Sequence, residues 1–487
     1  MDCIQNADSA NSKPHSCANP DAGGRKSCQT SSLLGCIFDR DAALAAAERA
    51  KERVAMVWLR WVILSVSLLV VAGPAAAQRF HYVQPPGTAS AVTPDGTREA
   101  PWVGLNDALA AAEGGDILLL EDGDYGGASV YGATFDAPVL IQSLAGKGAH
   151  FDFLVIHGGS RNLTFRNLSV WEKTKPQDRH RHLIVANPDT QWIRMEGLDV
   201  RGRADAERYL DWSADGWADA KGGIFVRGDD SAVTDCTLRG VDFGIEITGD
   251  RSEAVRNIID GFAGDGVRAI GDHSLVAGNT IMNNVAVNGN HDDGIQSWAT
   301  GETVRGLVIE GNRILEWTGP EAHPLRGPLQ GIGLFDGFFD GLVIRNNLVV
   351  VSAWHGISVY GGRGVDIVNN TLVAREAEGR SRPWLGLFAH KNGTESRDVR
   401  IANNVAQSFR ARPNPVMNVV YSQNFRLIAP ELSFADPARG DYRPAAGSAL
   451  VDAGDVLLAP ERDIEGVVRV QHGAPDIGAF ELVKGYE

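Results

Sequence analysis

Seven short segments, most of them led by glycine, recur in the middle of the chain and decide the fold. They are GIFVRG (223–228), GIEITG (244–249), GVRAIG (266–271), GIQSWA (294–299), GIGLFD (331–336), GISVYG (356–361) and WLGLFA (384–389). In each segment the second and fourth residues are nearly all apolar, whereas the third and fifth are mixed. Alternation with a period of two is typical of a strand with one buried face. The segments therefore predict strands whose third and fifth side chains point outwards.

A second unit, of the form apolar-x-x-Asn-x-apolar, alternates with these strands. It occurs at Asn167, Asn257, Asn279, Asn312, Asn347, Asn370 and Asn404, and Gly197 and Cys236 fit the same frame. From Cys236 onwards the key positions are 21, 22, 33, 35, 23 and 34 residues apart. Asparagine tolerates the left-handed backbone of a tight turn, and stacked amides can bond between coils. Together the two units predict the repeating coil of a right-handed parallel β-helix.

The flanking sequence fits the two ends of such a solenoid. Residues 101–113 are predicted to form an amphipathic helix that covers the first coil, followed by a strand at 116–125. We assign residues 78–135 to the N-terminal cap and first coil, 136–425 to the coils and 426–487 to an irregular C-terminal cap.

The N-terminal 77 residues are not expected to belong to the fold. Residues 56–77 combine an early arginine, an apolar run and a small-residue cleavage site, which is the layout of a secretory signal peptide. The apolar run is shorter than the roughly 20 residues that span a bilayer. Residues 1–55 precede this signal and are interpreted as a doubtful or disordered extension. The expectation is a secreted or periplasmic protein without a stable membrane span.

Composition limits the partners and the sources of stability. The 487 residues carry a formal charge of −15, which disfavours nucleic acid as a partner. Four of the five cysteines lie before residue 56, so the mature part keeps only Cys236 and has no internal disulfide. A monomer stabilised by packing is expected.

The helix-then-GDILLLEDGDY start (115–125), the Asn-bearing coils and the GSALVDAGD…PDIGAFEL ending resemble secreted bacterial right-handed β-helix proteins of the pectin-lyase-like superfamily. The resemblance covers about residues 80–485. It implies the fold, and it leaves the reaction open because that fold hosts lyases, hydrolases, epimerases and adhesins.

Aromatic residues form an outward column on the Gly-led strands. Trp298, Phe335, Tyr360 and Phe388 occupy the fifth position of four successive segments. With strands ~4.8 Å apart, the column spans about 14 Å, the length of two or three sugar rings. The column predicts a sugar-binding platform, with a covering loop as the alternative.

One corner of the coil concentrates insertions and titratable groups. The insertions fall at 197–221, 284–292, 316–329 and 375–383, before the Gly-led strands, and predict one wall of a groove. The candidate catalytic residues are His291, Asp292, Asp293, His355, Arg268 and Lys391. Gln296 and Gln330 are candidate substrate-binding residues beside the aromatic column. Asp265 and Asp293 are candidate calcium ligands.

The motifs at this corner leave several functions open. HDDGIQ (291–296) and WHGISVYG (354–361) are similar to polygalacturonase-type hydrolases, and NHDD (290–293) is similar to mannuronan C5-epimerases. The first hypothesis is a lyase or C5-epimerase acting on an acidic, uronate-containing polysaccharide, with Arg268, Lys391 or calcium neutralising the uronate carboxylate, His291 or His355 as base and Tyr360 as acid. The alternatives are a glycoside hydrolase that uses two carboxylates among Asp265, Asp292 and Asp293, and a non-catalytic glycan-binding protein.

Overall fold

The computed structural model describes residues 78–88, 92–173, 181–375, 383–411, 416–471 and 473–483. The predicted extension (1–55) and signal peptide (56–77) lie outside the described residues. Within the described part, no helix is both long enough and apolar enough to cross a bilayer.

The described chain is built almost entirely from short strands. The first thirteen are β1 (Phe80–Gln84), β2 (Trp102–Val103), β3 (Ile117–Leu120), β4 (Gly123–Asp124), β5 (Gly127–Val130), β6 (Thr134–Ser143), β7 (Ala149–Phe151), β8 (Phe153–Ile156), β9 (Arg161–Arg166), β10 (Ser169–Val170), β11 (His182–Ala186), β12 (Gln191–Glu196) and β13 (Asp199–Arg201). The middle strands are β14 (Gly222–Val226), β15 (Ala232–Thr234), β16 (Thr237–Val241), β17 (Ile245–Ile247), β18 (Glu253–Val255), β19 (Ile258–Phe262), β20 (Val267–Ala269), β21 (Leu275–Ala277), β22 (Thr280–Asn284), β23 (Asp293–Arg305), β24 (Val308–Glu310), β25 (Arg313–Leu315), β26 (Gln330–Asp340), β27 (Val343–Arg345) and β28 (Leu348–Val351).

The remaining strands are β29 (His355–Tyr360), β30 (Gly362–Val368), β31 (Thr371–Ala374), β32 (Trp384–Phe388), β33 (Ser396–Ala402), β34 (Val405–Ala406), β35 (Ser408–Ala411), β36 (Val416–Ser422), β37 (Phe425–Arg426), β38 (Phe434–Asp436) and β39 (Asp441–Pro444). The helices are α1 (Leu105–Ala111), α2 (Ala214–Ala218) and α3 (Pro430–Ser433), with 3-10 turns at Ala206–Asp211 and Pro437–Arg439.

Each full coil contributes three parallel strands, one to each face of the solenoid. The Gly face consists of β5, β8, β11, β14, β17, β20, β23, β26, β29, β32 and β35. The Asn face is a separate twelve-stranded sheet of β4, β7, β10, β13, β16, β19, β22, β25, β28, β31, β34 and β37. A third row of strands lies between these two faces. It belongs to the same sheet as the Gly face, because β23 and β26 are long enough to take part in both rows. The predicted parallel β-helix is thereby confirmed.

The inward positions stack in register along the solenoid axis. Ile245 pairs with Val267, which pairs with Ile295, which pairs with Ile332, which pairs with Ile357. All five side chains are fully buried. They belong to one continuous core that extends from Val83 to Ala406. The period-two pattern of the Gly-led segments thus places their second and fourth residues inside, as predicted.

Buried asparagines form a ladder where each coil turns into the Asn face. The amide Nδ2 of Asn257 donates to Oδ1 of Asn279 at 2.9 Å, and the same bond repeats down the stack. The further members are Asn312, Asn347, Asn370, Asn404 and Asn424. Each amide also donates to a backbone carbonyl of the preceding coil, as Asn312 does to Val276. The ladder therefore satisfies buried polar groups at every turn.

The left-handed residue of each turn lies one position before the ladder asparagine. It is Arg256 at φ 55° before Asn257, and Asn346 at φ 54° before Asn347. Asn167 and Gly197 also adopt positive φ. Asn167 and Gly197 were predicted at the ladder position, but they lie one residue before it. The apolar Leu168 and Leu198 occupy the ladder position in those coils.

The two ends differ from each other. Helix α1 buries Leu105 and Leu109 against the first coil, but it is shorter than the predicted 101–113 because residues 102–103 pair as a strand. The C-terminal segment runs back along the side of the Asn face, where Ile477 and Phe480 pack in a second core. The apolar Met417 on β36 stays 54% exposed.

Candidate functional site

A cleft of about 880 Å³ opens on the outer side of the Gly face, at the coils of β23, β26 and β29. Nine of the predicted site residues line it: His291, Asp292, Asp293, Gln296, Gln330, Phe335, His355, Tyr360 and Lys391. Two further lining residues, Trp354 and Asp336, were not predicted from the sequence. The structure therefore brings the His–Asp corner and part of the aromatic column into one concave site.

Three insertions form the wall beside the cleft. They follow β13, β22 and β25 and each precedes a strand of the Gly face. Trp212, Trp217 and Trp317 pack with Val285 in a small separate core within this wall. His323 adds a hydrogen bond from its Nε2 to the carbonyl of Leu210 at 2.8 Å. The insertions thus support one another, which gives the cleft a rigid side. The fourth insertion, 375–383, lies largely outside the described residues.

Two buried carboxyl groups form the floor of the cleft. Asp293 is fully buried, its backbone N–H donates to Oδ1 of Asp265 at 2.9 Å, and its Oδ2 accepts from Gln296 at 2.9 Å. Its Oδ1 has no hydrogen-bond partner among the described residues. Asp292 is 5% exposed and accepts from Nδ2 of Asn290 at 3.0 Å. The floor therefore carries unused hydrogen-bonding capacity that faces the site.

Burial and electrostatic repulsion raise the pKa values of the two carboxyl groups of the floor. Burial, followed by the negative charge of Asp265, raises the pKa of Asp292 to about 8. The same two causes raise the pKa of Asp293 well above its ordinary value. At neutral pH Asp292 therefore holds its proton and can donate a hydrogen bond, and the raised pKa of Asp293 favours the protonated form of that group as well. Strongly raised carboxyl pKa values in a cleft are typical of functional sites.

His355, which also lines the cleft, is surrounded by aromatic rings. Its ring contacts Phe335 edge-on at 5.0 Å and Trp384 at 4.8 Å, with Trp354 at 6.4 Å between centroids. Burial, followed by the positive charges of Arg410 and His291, lowers the pKa of His355 to about 4. The imidazole is therefore neutral at physiological pH.

Three of the four predicted aromatic rings form a continuous row. Phe335 lies 5.7 Å from Tyr360, which stacks on Phe388 at 4.6 Å. Trp298 is displaced, because the register shifts between Ser297 and Trp298, and it faces Arg268 instead of the cleft. Phe388 does not line the cleft and extends the row beyond it.

Two glycines make room for these side chains. A Cβ on Gly333 would lie 2.4 Å from Oδ1 of Asp293 and from the ring of Phe335. A Cβ on Gly386 would lie 2.7 Å from the ring of Phe388. The third position of these strands is therefore glycine because neighbouring functional side chains lie directly over the sheet.

Arg268 lies behind the floor and is held by internal ion pairs. Its Nε donates to Oδ2 of Asp265 at 2.6 Å, and its Nη1 lies 3.4 Å from Glu246. The guanidinium also covers the ring of Phe243 at 3.9 Å. Neither Arg268 nor Asp265 lines the cleft. The predicted neutralisation of a substrate by Arg268 thus has no direct contact in this geometry.

The predicted calcium ligands do not fit a calcium cage. Oδ1 of Asp265 accepts from the backbone of Asp293 and its Oδ2 accepts from Arg268, so a cation at Asp265 would compete with both hydrogen bonds and with the positive charge of Arg268. Among the described residues, a group that can hold a metal ion is formed instead by Asp124, His150 and Asp152 in the N-terminal coils.

These observations define the class of protein. The right-handed β-helix family model, described as "Right handed beta helix region", matches residues 217–373. With the coils and ladder described above, the chain is a right-handed parallel β-helix with the pectin-lyase-like fold. None of the curated proteins matches the chain.

Three solved structures illustrate what the chain path is similar to. Pectate lyase Pel9A is 16% identical with a TM-score of 0.47, over 84% of this chain and 97% of that chain. The A-module of mannuronan C-5 epimerase AlgE6 from Azotobacter vinelandii is 16% identical with a TM-score of 0.41, over 66% and 90%. The Dettilon tailspike protein is 13% identical with a TM-score of 0.43, over 63% and 62%. At these identities no activity follows from the likeness.

Proposed function

We propose that the protein is a polysaccharide-active β-helix that cleaves or epimerises uronate-containing chains in the cleft of the Gly face. The observation that carries the proposal is the meeting of an aromatic row with two buried carboxyls, both with raised pKa values, in one open cleft. Aromatic faces bind sugar rings, and protonated carboxyls bind or protonate their oxygens.

The floor suits an acidic sugar because the raised pKa values of Asp292 and Asp293 disfavour negative charge there. Ionised carboxylates at Asp292 and Asp293 would repel a uronate, whereas the protonated groups donate hydrogen bonds to its carboxylate. Lys391 supplies a positive charge at the rim, where its Nζ lies 2.7 Å from Asp336. A substrate carboxylate can replace this partner, because both side chains are more than half exposed.

The reaction of a lyase needs one group that takes a proton and one that gives it. A base removes the proton at C5, the electron pair forms the C4–C5 double bond, and the C4–O bond breaks. The leaving oxygen takes a proton from an acid and becomes the hydroxyl of a new reducing end. His291 and Tyr360 line the cleft and suit these two roles. An epimerase returns the proton to the opposite face of C5 instead.

The proposed substrate also bears on the location of the protein, its need for a metal ion and its oligomeric state. Uronate polymers are large substrates that occur outside cells. We therefore place the protein outside the cytoplasm, in agreement with the predicted signal at 56–77. The proposal needs no metal ion at Asp265, since that carboxylate is committed to Arg268. We propose a monomer as the working unit.

The test is product analysis on defined polymers. Purified protein is incubated with polymannuronate, polyguluronate and polygalacturonate, and ultraviolet absorbance of the new double bond is followed. Asp293→Asn is expected to abolish product, whereas Asp235→Asn, at an exposed ion pair with Arg256, is the matched control and retains it. Full activity of Asp293→Asn would reject the assigned site.

A glycoside hydrolase is the second candidate, favoured by one observation. The protonated Asp292 and the ion-paired Asp336 line the same cleft, and hydrolases use one carboxylic acid and one carboxylate. New reducing ends without double-bond absorbance would identify this reaction. Saturable binding of a polymer without any product would identify a non-catalytic glycan-binding protein.

A further inference from the structure

A buried serine connects His355 to the next coil. Nδ1 of His355 lies 2.9 Å from Oγ of Ser358, three residues further along β29. Nε1 of Trp384 on β32 donates to the same Oγ at 3.0 Å. Ser358 is fully buried, and its partners across the sheet are Gly333 and Gly386.

The hydrogen-bond count at this serine fixes the direction of the bonds. The indole N–H is a donor only, so it takes one lone pair of Oγ. The hydroxyl hydrogen of Ser358 then needs an acceptor, and among the described residues its contacts are Nδ1 of His355 and the indole donor. If Nδ1 carried the hydrogen, Oγ would accept twice and its own buried hydrogen would have no partner, which is unfavourable.

We infer that Ser358, held by Trp384, locks His355 in the tautomer that carries its hydrogen on Nε2. His355 then presents a neutral N–H donor to the cleft. This inference rests on the proposed function for its role: His355 binds and polarises a substrate oxygen, and it is not the base that removes the C5 proton. Ser358 is a positioning residue that acts through His355.

The tautomer is measured directly by nuclear magnetic resonance on the full chain labelled with ¹⁵N histidine. The His355→Gln variant identifies the signals of this ring among the 12 histidines of the chain. The expected spectrum at neutral pH shows Nδ1 unprotonated and Nε2 protonated. A ring protonated on Nδ1 would overturn the inference, whether or not the protein degrades any polymer.

Ser358→Ala removes the lock while keeping the fold. The expected result is a mixture of the two tautomers, with the two nitrogen shifts moving towards each other. Ser297→Ala is the matched control, because Ser297 is equally buried on β23, two coils before β29, and its hydroxyl has no partner among the described residues. This control should leave the His355 signals unchanged. Wild-type shifts in Ser358→Ala would show that the serine does not set the tautomer.

Activity separates this inference from the proposed function. On the polymer that the wild type degrades, Ser358→Ala should lower kcat/KM about tenfold, since one orienting hydrogen bond worth about 1.4 kcal/mol is lost. Ser358→Thr keeps the hydroxyl and should restore most of the rate. Absence of wild-type activity on every polymer, combined with the Nε2 tautomer, would reject the proposed function alone.

Discussion

Replacing Asp292 by asparagine should stabilise the protein at pH 8 and have little effect on stability near pH 4. The side chain is 5% exposed, and its pKa is raised from 3.8 to about 8, first by burial and then by the charge of Asp265. Between these values the folded protein holds a proton that the unfolded chain has released. The free energy of unfolding of the wild type therefore falls as pH rises through this range, and it levels off above about pH 8.

The size of the effect follows from the width of that range. Four pH units at about 1.4 kcal/mol each give about 6 kcal/mol as an upper limit for the cost of ionising Asp292 in place. Asparagine is uncharged at every pH and keeps an oxygen that accepts from Asn290. The gain of Asp292→Asn over wild type should accordingly grow from near zero at pH 4 to a few kcal/mol at pH 8.

Urea unfolding at pH 4, 6 and 8 measures this difference for wild type and variant. Asp235→Asn is the control, because the exposed pair of Asp235 with Arg256 contributes less than about 1 kcal/mol. A gain that does not change with pH would refute the claim that Asp292 is protonated by burial. The same variant should lose activity, which would show that the acid is retained for function at the expense of stability.

Three further variants test the scaffold by urea unfolding. Ile332→Ala should lower the free energy of unfolding by about 2–5 kcal/mol because it opens a cavity in the fully buried stack; a loss below 1 kcal/mol would contradict the packing. Asn312→Ala should cost about 2–4 kcal/mol, since the backbone N–H and the side-chain amide of Asn279 both lose their acceptor; an unchanged midpoint would contradict the ladder. Gly333→Ala should cost about 1–3 kcal/mol and lower activity, because its methyl group displaces the carboxyl of Asp293; wild-type activity on the polymer would contradict the close approach.

The architecture was predictable because each coil repeats the same alternation of buried and outward-facing residues. The alternation in GIGLFD or GISVYG specifies which side chains face the core whatever the neighbouring coils contain. Insertions at a constant place in the repeat must lie at one corner, so the meeting of His291, Asp292 and His355 in the cleft also followed from spacing.

The departures come from contacts that spacing does not encode. Arg268 points outwards as predicted, but Phe243 and Glu246 of neighbouring segments cover it. Trp298 leaves the aromatic row because the strand pairing slips by one residue beside it. Trp354 was missed because it precedes the strand pattern, although an aromatic residue directly before His355 was the available signal.

The C-terminal segment has a consequence for how the chain is completed during synthesis. Arg469, 4% exposed, bonds to Asn346 at 2.8 Å, and the carbonyl of Gly478 accepts from Asn369. These contacts brace coils that emerge from the ribosome more than a hundred residues earlier. Until the last residues have been synthesised, the apolar side chains of Leu348 and Val350 are exposed to water. This side of the solenoid is therefore completed only when the final stretch of the chain has been synthesised.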